Sequence, residues 1–174
     1  MGIQLTTLVQ GEEIDLKNLY GKTIAIDAYN WLYQFLTTIR QYDGEPLKDS
    51  KGRMTSHLSG LFYRTIKLLE ANVKLVYVFD GKPPIWKQET VEHRRDIRKE
   101  AADEWKAALE RKDYTQAKKF AQRSATITQE ILDGSKELLD ALGVPVVQAP
   151  SEGEALCSLM CKNNDVYAVA TQDY

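Results

Sequence analysis

Val76-Tyr77-Val78-Phe79-Asp80-Gly81-Lys82-Pro83-Pro84 is the stretch that decides the fold. Four apolar residues in an unbroken run suit a strand buried on both faces, as in a parallel sheet. The run ends on a carboxylate, and the two prolines that follow stop the strand. The same pattern recurs three times. Ile24-Ala25-Ile26 runs into Asp27. The run at 144–147 leads to Ala149-Pro150-Ser151-Glu152-Gly153-Glu154, and the run at 166–171 leads to Gln172-Asp173. Four parallel strands would bring these five carboxylates to one sheet edge, where open α/β sheets bind ligands. Five like charges gathered there repel each other unless cations lie between them. Oxygen-only donors suit hard ions such as Mg²⁺ or Mn²⁺.

Between the runs the period changes to that of helices. Trp31, Leu32, Phe35, Leu36 and Ile39 mark an amphipathic helix over 28–41. Residues 43–53 are rich in Gly, Pro, Asp and Ser and read as a loop. Thr55 or Ser56 can cap a helix bearing Leu58, Leu61, Phe62, Leu68 and Leu69. A helix at 127–142 ends at Gly143, and another occupies 151–162. The strands fall at 22–27, 74–80, 144–148 and 166–171. Strand-helix alternation gives an α/β fold with a central parallel sheet and helices on both faces. With 174 residues, a single domain over 1–174 is expected.

Residues 86–123 differ. Large apolar residues are sparse, leaving little apolar face to bury, so the segment reads as a projecting or mobile helical element. The net charge of −2 hides an asymmetry: residues 82–123 hold 12 Lys/Arg against 8 Asp/Glu, while the rest holds 11 against 17. A basic segment beside an acidic body suits a polyanion drawn toward an acidic site.

Other chemistries find less support. Gly21-Lys22-Thr23 ends like a phosphate loop but precedes its strand, and in Gly81-Lys82-Pro83 a proline replaces the needed hydroxyl, so no nucleotide cofactor is expected. His57 and His93 are the only histidines, and neither pairs with a nucleophile. Cys157 and Cys161 sit on an apolar helical stretch and read as small core residues. No run is long enough to span a membrane and no secretory leader is visible, so cytosolic or nuclear residence is the default. The first six residues match a myristoylation pattern, but no second membrane signal accompanies it.

Each carboxylate also has a structural reading. Asp27 can cap the following helix, Asp80 and Asp173 can be turn residues, and Ser151-Glu152-Gly153-Glu154 has the form of a capping box. Their shared position at strand ends favours the joint reading. Two-metal phosphodiester hydrolysis needs such a set, with ions about 3.5–4 Å apart.

Longer motifs now come together. Met1-Gly2-Ile3-Gln4, Ile24-Ala25-Ile26-Asp27-Ala28, Tyr33-Gln34-Phe35-Leu36, Thr55-Ser56-His57-Leu58, Phe62-Tyr63-Arg64-Thr65, Tyr77 to Pro84, Ala149 to Ala155 and Ala170-Thr171-Gln172-Asp173 resemble the flap endonuclease family, structure-specific 5′-nucleases of the XPG type. The resemblance implies a PIN-like nuclease fold and Mg²⁺-dependent cleavage of branched DNA carrying a 5′ flap, with 5′-3′ exonuclease activity, in replication and repair. It implies that Asp27, Asp80, Glu152, Glu154 and Asp173 hold two Mg²⁺, or Mn²⁺, and that Lys87 and Arg94 act on the scissile phosphate. It matches Tyr33 to an aromatic that stacks near the branch point, Arg40 to a basic residue beside it, Gly2 to a terminus near the site, and Thr55 to a pocket for a 3′ flap. It matches 86–123 to a helical arch threaded by single-stranded DNA; Arg95 and Arg98 are further arch contacts by our own reading. The family carries further carboxylates past the last matched one, a duplex-gripping module and a tail that meets a sliding clamp. On that comparison the chain reads as truncated. The alternative is a catalytically incomplete DNA-binding fragment, or half of a split nuclease.

Overall fold

The computed structural model describes residues 11–171. Gly2 and Asp173 therefore lie outside the described residues. The chain divides into two compact units: Met1–Trp31, Tyr63–Gly81 and Leu139–Tyr174 form one, and Leu32–Phe62 and Lys82–Leu138 the other.

The first unit holds the sheet. Its strands are β1 (Thr23–Asp27), β2 (Lys74–Phe79), β3 (Val146–Gln148) and β4 (Ala168–Ala170). They lie in the order β3-β2-β1-β4, and every pairing is parallel. The register sets Asp27 beside Val78, Phe79 beside Gln148 and Ile26 beside Ala170. All four carboxyl ends therefore share one edge. β1 is the first strand in sequence yet lies inside the sheet, so the order reverses beside it, which is where such sheets form crevices.

Both faces of the sheet are covered. On one, helix α6 (Gly153–Lys162) packs Cys157, Leu156 and Met160 against Ala25, Val76 and Val78. On the other, the indole of Trp31 meets the ring of Tyr77 edge-on, with centroids 5.9 Å apart. The phenol oxygen of Tyr77 lies 2.7 Å from Thr65 Oγ1, so its polar tip is satisfied although the residue is fully buried. Trp31 belongs to α1 (Ala28–Thr38) and Thr65 to α2 (Ser56–Glu70). Two element termini expected from the sequence are refined here, the start of α2 and the start of β3. Ser56 is the first residue of α2, but its hydroxyl accepts the Leu47 N–H, while the carbonyl of Thr55 accepts the Ser59 N–H. β3 begins at Val146 because Pro145 has no N–H to give a ladder.

The second unit is helical. Residues 86–123 form two helices rather than one: α3 (Gln88–Glu110) and α4 (Tyr114–Arg123). The turn between them places Lys112 at φ 59°, and Asp113 caps α4 by accepting the Gln116 N–H. The helices are joined by a seam of small residues, with Ala101, Ala108, Ala117 and Ala121 all buried. The expected lack of a buried face is thus corrected: the face exists, built of alanines. The loop at 40–46 seats on this pair. Trp105 Nε1 donates to the Asp43 carbonyl at 3.1 Å, and the rings of Tyr42 and Tyr114 meet at 5.3 Å. Gly44, at φ +87°, lies so close that a Cβ there would come 2.7 Å from the Ala121 Cβ. Leu36, Ala125 and Ile131 form a further small core, Ile131 lying in α5 (Gln129–Ala141). Among the described residues no helix is long and apolar enough to cross a membrane.

Candidate metal centre at the sheet edge

Asp27 is the last residue of β1 and is 3% exposed. Its Oδ1 accepts the Asn30 N–H at 3.1 Å, so it does cap α1. That bond favours the ionised form but does not win. Burial, followed by the neighbouring charges of Asp80 and Glu154, raises the carboxyl pKa to about 6. Asp27 is thus held in two ways: one oxygen caps a helix, and the group feels the charges of Asp80 and Glu154.

Asp80 follows β2. Its Oδ1 accepts the N–H of Gly153, the first residue of α6, at 2.6 Å. The capping box expected from Ser151 and Glu154 is not how this helix starts. Glu152 is the N-cap and makes no side-chain capping bond, while a carboxylate from a distant strand satisfies the helix N-terminus. A negative charge there is favourable, because the orphan N–H groups carry the positive end of the helix dipole. The approach requires glycine: a Cβ at 153 would stand 2.7 Å from Asp80 Oδ1.

Further bonds fix this corner. The Gly81 N–H donates to the Ser151 carbonyl, and the Ala149 N–H donates to the Phe79 carbonyl at 2.8 Å. The amide of Gln148 donates to the carbonyls of Phe79 and Asp80, at 3.2 and 2.5 Å. The end of β2 and the 148–153 loop are thereby stitched together, and Asp80 and the Glu152-Gly153-Glu154 turn are held as one piece. Gln148 was missed as a site residue in the sequence because its amide carries no charge. Its position as the last residue of β3 was the available signal. Tyr29 was also missed; burial and the charge of Asp80 raise its phenol pKa.

Asp27, Asp80 and Glu154 thus act on one another electrostatically. The Cys157 thiol reports the same field: burial, then Asp27 and Asp80, push it up to about 11, with Glu154 adding to the effect. Cys157 stays a neutral core residue, as expected from the sequence. Glu152 adjoins Gly153 at the same corner and is half-buried. Asp173 lies outside the described residues. Among those described, no three His, Cys, Asp or Glu side chains stand close enough together to hold one metal ion. The donor set still suits a hard divalent cation in its chemistry: every donor is an oxygen, and burial together with the charges of Asp80 and Glu154, which raise the Asp27 pKa, disfavours an ionised carboxylate that a cation would stabilise.

The remaining site candidates lie in the second unit. Lys87 closes a 3-10 turn (Ile85–Lys87) and is the N-cap of α3, whereas Arg94 lies inside that helix and is exposed. The two cations therefore stand on a turn and on the helix that follows it. The Lys87 ammonium lies 5.1 Å from the centroid of the Trp86 ring. Arg95 is exposed. Arg98 places its guanidinium 5.7 Å from the ring centroid of Tyr33, so two residues expected to bind DNA contact each other. Arg40 is engaged locally: Nε donates to the Leu36 carbonyl at 2.6 Å and Nη1 to the Gly44 carbonyl at 2.8 Å. Burial lowers its pKa from the ordinary value, against the opposing charges of Glu45 and Tyr33. Thr55 is half-buried at the start of α2. A cavity of about 500 Å³ opens beside Tyr33, Thr37, Lys119, Phe120 and Arg123.

Comparison with known proteins agrees across the chain. Flap endonuclease 1 of Pyrococcus abyssi is 57% identical over 174 residues, which is all of this chain and 51% of that protein. The chain therefore spans about half the length of the curated relatives it matches. The solved structure of flap endonuclease-1 from Methanococcus jannaschii superposes with a TM-score of 0.72 at 44% identity, covering 99% of this chain and 55% of that one. The catalytic core of Rad2 in complex with DNA substrate gives a TM-score of 0.63 at 29% identity, over 93% of this chain and 41% of that one. The α/β class with a PIN-like nuclease fold, expected from the sequence, is thus found. Residues 1–101 match the XPG N-terminal domain and residues 143–174 the XPG I-region, the two parts that carry the acidic edge, and the chain belongs to the XPG family.

Proposed function

We propose that this chain is the metal-binding nuclease part of a flap endonuclease, acting on branched DNA that carries a 5′ flap. The observation that carries the proposal is the bond from the Gly153 N–H to Asp80, which ties the end of β2 to the Glu152–Glu154 turn. The flap endonucleases and the Rad2–DNA complexes among its relatives support the substrate class. Asp27, Asp80, Glu152, Glu154 and Asp173 would hold the metal, which we take to be two Mg²⁺ ions. When bound, the ions would supply Lewis acidity to the phosphate and favour ionisation of water. The protein's own part is to keep the carboxylates fixed. Asp27 is anchored by the Asn30 N–H, and Asp80 by the Gly153 N–H.

Lys87 and Arg94 carry over from the resemblance as the cations that offset charge on the scissile phosphate. Residues 86–123 are proposed to act as the DNA-facing arch, with Arg95 and Arg98 as further contacts, and Tyr33, Arg40 and Thr55 as contacts near the branch. Gly2 belongs to the same proposal. A sliding clamp as partner rests on the resemblance alone, and a cytoplasmic site rests on the archaeal relatives.

The test is single-turnover cleavage of a labelled 5′-flap duplex in Mg²⁺, beside a matched duplex without a flap. We expect cuts at the flap junction that a chelator abolishes. Lys87→Ala or Arg94→Ala should slow the chemical step by roughly 100-fold while changing affinity little, as for loss of a group that stabilises transition-state charge. Loss of affinity at unchanged rate would reduce both to backbone anchors. Tight binding with no cleavage would favour the incomplete DNA-binding fragment.

A further inference from the structure

Trp86 is 73% exposed and the preceding Ile85 is 83% exposed. An indole left in water forgoes the burial that usually stabilises it, so its position asks for an occupant. The ring is not on a floppy segment. Pro83 and Pro84 precede it, Pro84 is extended at ψ 149°, and the Lys87 N–H closes the 3-10 turn on the Pro84 carbonyl at 2.9 Å. The Lys87 ammonium already lies over the ring, 5.1 Å from its centroid.

We propose that Trp86 is a stacking platform for an unpaired nucleobase, which sets the attached phosphate toward Lys87. The inference rests on the reading of the chain as a 5′-flap nuclease. Charge complementarity selects the occupant: residues 82–98 carry Lys82, Lys87, Arg94, Arg95 and Arg98 against Glu89, Glu92 and Asp96. An apolar partner surface would have to desolvate those cations, whereas a nucleotide brings its own anion to them. Base-aromatic stacking accepts any base, because every base has a π-face, which suits a strand recognised by its branch rather than its sequence. Trp86 would then complement Tyr33, whose own ring carries the Arg98 guanidinium.

The experiment compares the unaltered protein with Trp86→Ala and Trp86→Phe on two 5′-flap duplexes. One flap carries bases, and the other is abasic with the same phosphates. Affinity is read by titration, and indole fluorescence is recorded in parallel. Trp31 is buried and the Trp105 Nε1 bonds to a carbonyl, so a quench that disappears in both variants reports Trp86. We expect W86A to bind the base-bearing flap roughly 5- to 150-fold more weakly, the factor corresponding to about 1–3 kcal/mol per stacked base. W86F should retain most of the affinity, and all three proteins should bind the abasic flap alike. Equal binding of the base-bearing flap by W86A and the unaltered protein overturns the proposal. Equal losses on both flaps overturn it too, since a lost stack cannot weaken binding to a strand without bases. If the unaltered protein binds neither flap, the nuclease reading falls and this inference falls with it.

Discussion

His57 shows how a single residue sets a pH response. It is 3% exposed, burial lowers its pKa to about 4, and its Nδ1 is buried with no hydrogen-bond partner among the described residues. The ordinary imidazole value is about 6.5. Between those two values the unfolded chain binds more protons than the folded one, so stability rises with pH. The contribution is complete above pH 6.5 and is lost as pH falls to about 4. Its full size is about 3 kcal/mol, because each tenfold change in proton affinity is worth about 1.4 kcal/mol. Asp27 acts in the opposite sense: its raised pKa makes stability fall with pH from 3.8 to about 6. The two must be separated by difference. Urea unfolding of the parent and His57→Leu at several pH values should show the parent losing stability relative to the variant on acidification. Parallel curves would mean that His57 is solvated and titrates normally.

At the scale of elements, the α3–α4 pair rests on its alanine seam. Ala117→Leu would force three extra carbons into a contact where the native Cβ is fully buried, costing about 1–3 kcal/mol. Hydrogen exchange should show the loss concentrated in 88–123, with protection of β2 unchanged, because these residues lie in different units. A loss spread evenly over both would contradict a seam that acts locally. This pair also shows where sequence reading was strong and where it failed. The strands were legible because Ile24 to Ile26 and Val76 to Phe79 are unbroken apolar runs, and the carboxylates were legible because they stand where the runs end. The seam was not, because alanine carries little weight in a search for large apolar residues. The break between α3 and α4 did have a signal, an Asp at 113 with a Gln three residues on. The start of α6 could not be read locally, because its capping group is Asp80, far away in sequence. The roles given to Lys87, Arg94 and Tyr33 came from the resemblance, since surface cations and aromatics have no local pattern that reveals a ligand.

At the scale of the whole molecule, the central proposal is that the carboxylates at the sheet edge hold divalent cations. Asp27 is buried beside like charges, which raises its pKa, and Asp80 is held by a helix N-terminus. A cation that binds there stabilises only the folded chain, by RT ln(1 + [L]/Kd), so binding and stability must move together. Mn²⁺ stands in for Mg²⁺ as a hard, oxygen-seeking ion with a paramagnetic signal. The decisive measurement is a Mn²⁺ titration followed by electron paramagnetic resonance, with thermal unfolding on the same samples. Asp27→Asn and Asp80→Asn serve beside the parent. In a chelator, Asp27→Asn should be more stable than the parent at pH 7.5 by up to about 2 kcal/mol, because it removes a buried charge. On adding Mn²⁺, the parent should take up about two ions per chain and its Tm should climb, and Mg²⁺ should compete for the same sites. Both variants should lose at least one ion and most of the climb. Uptake and Tm that are the same in all three proteins would contradict the central claim.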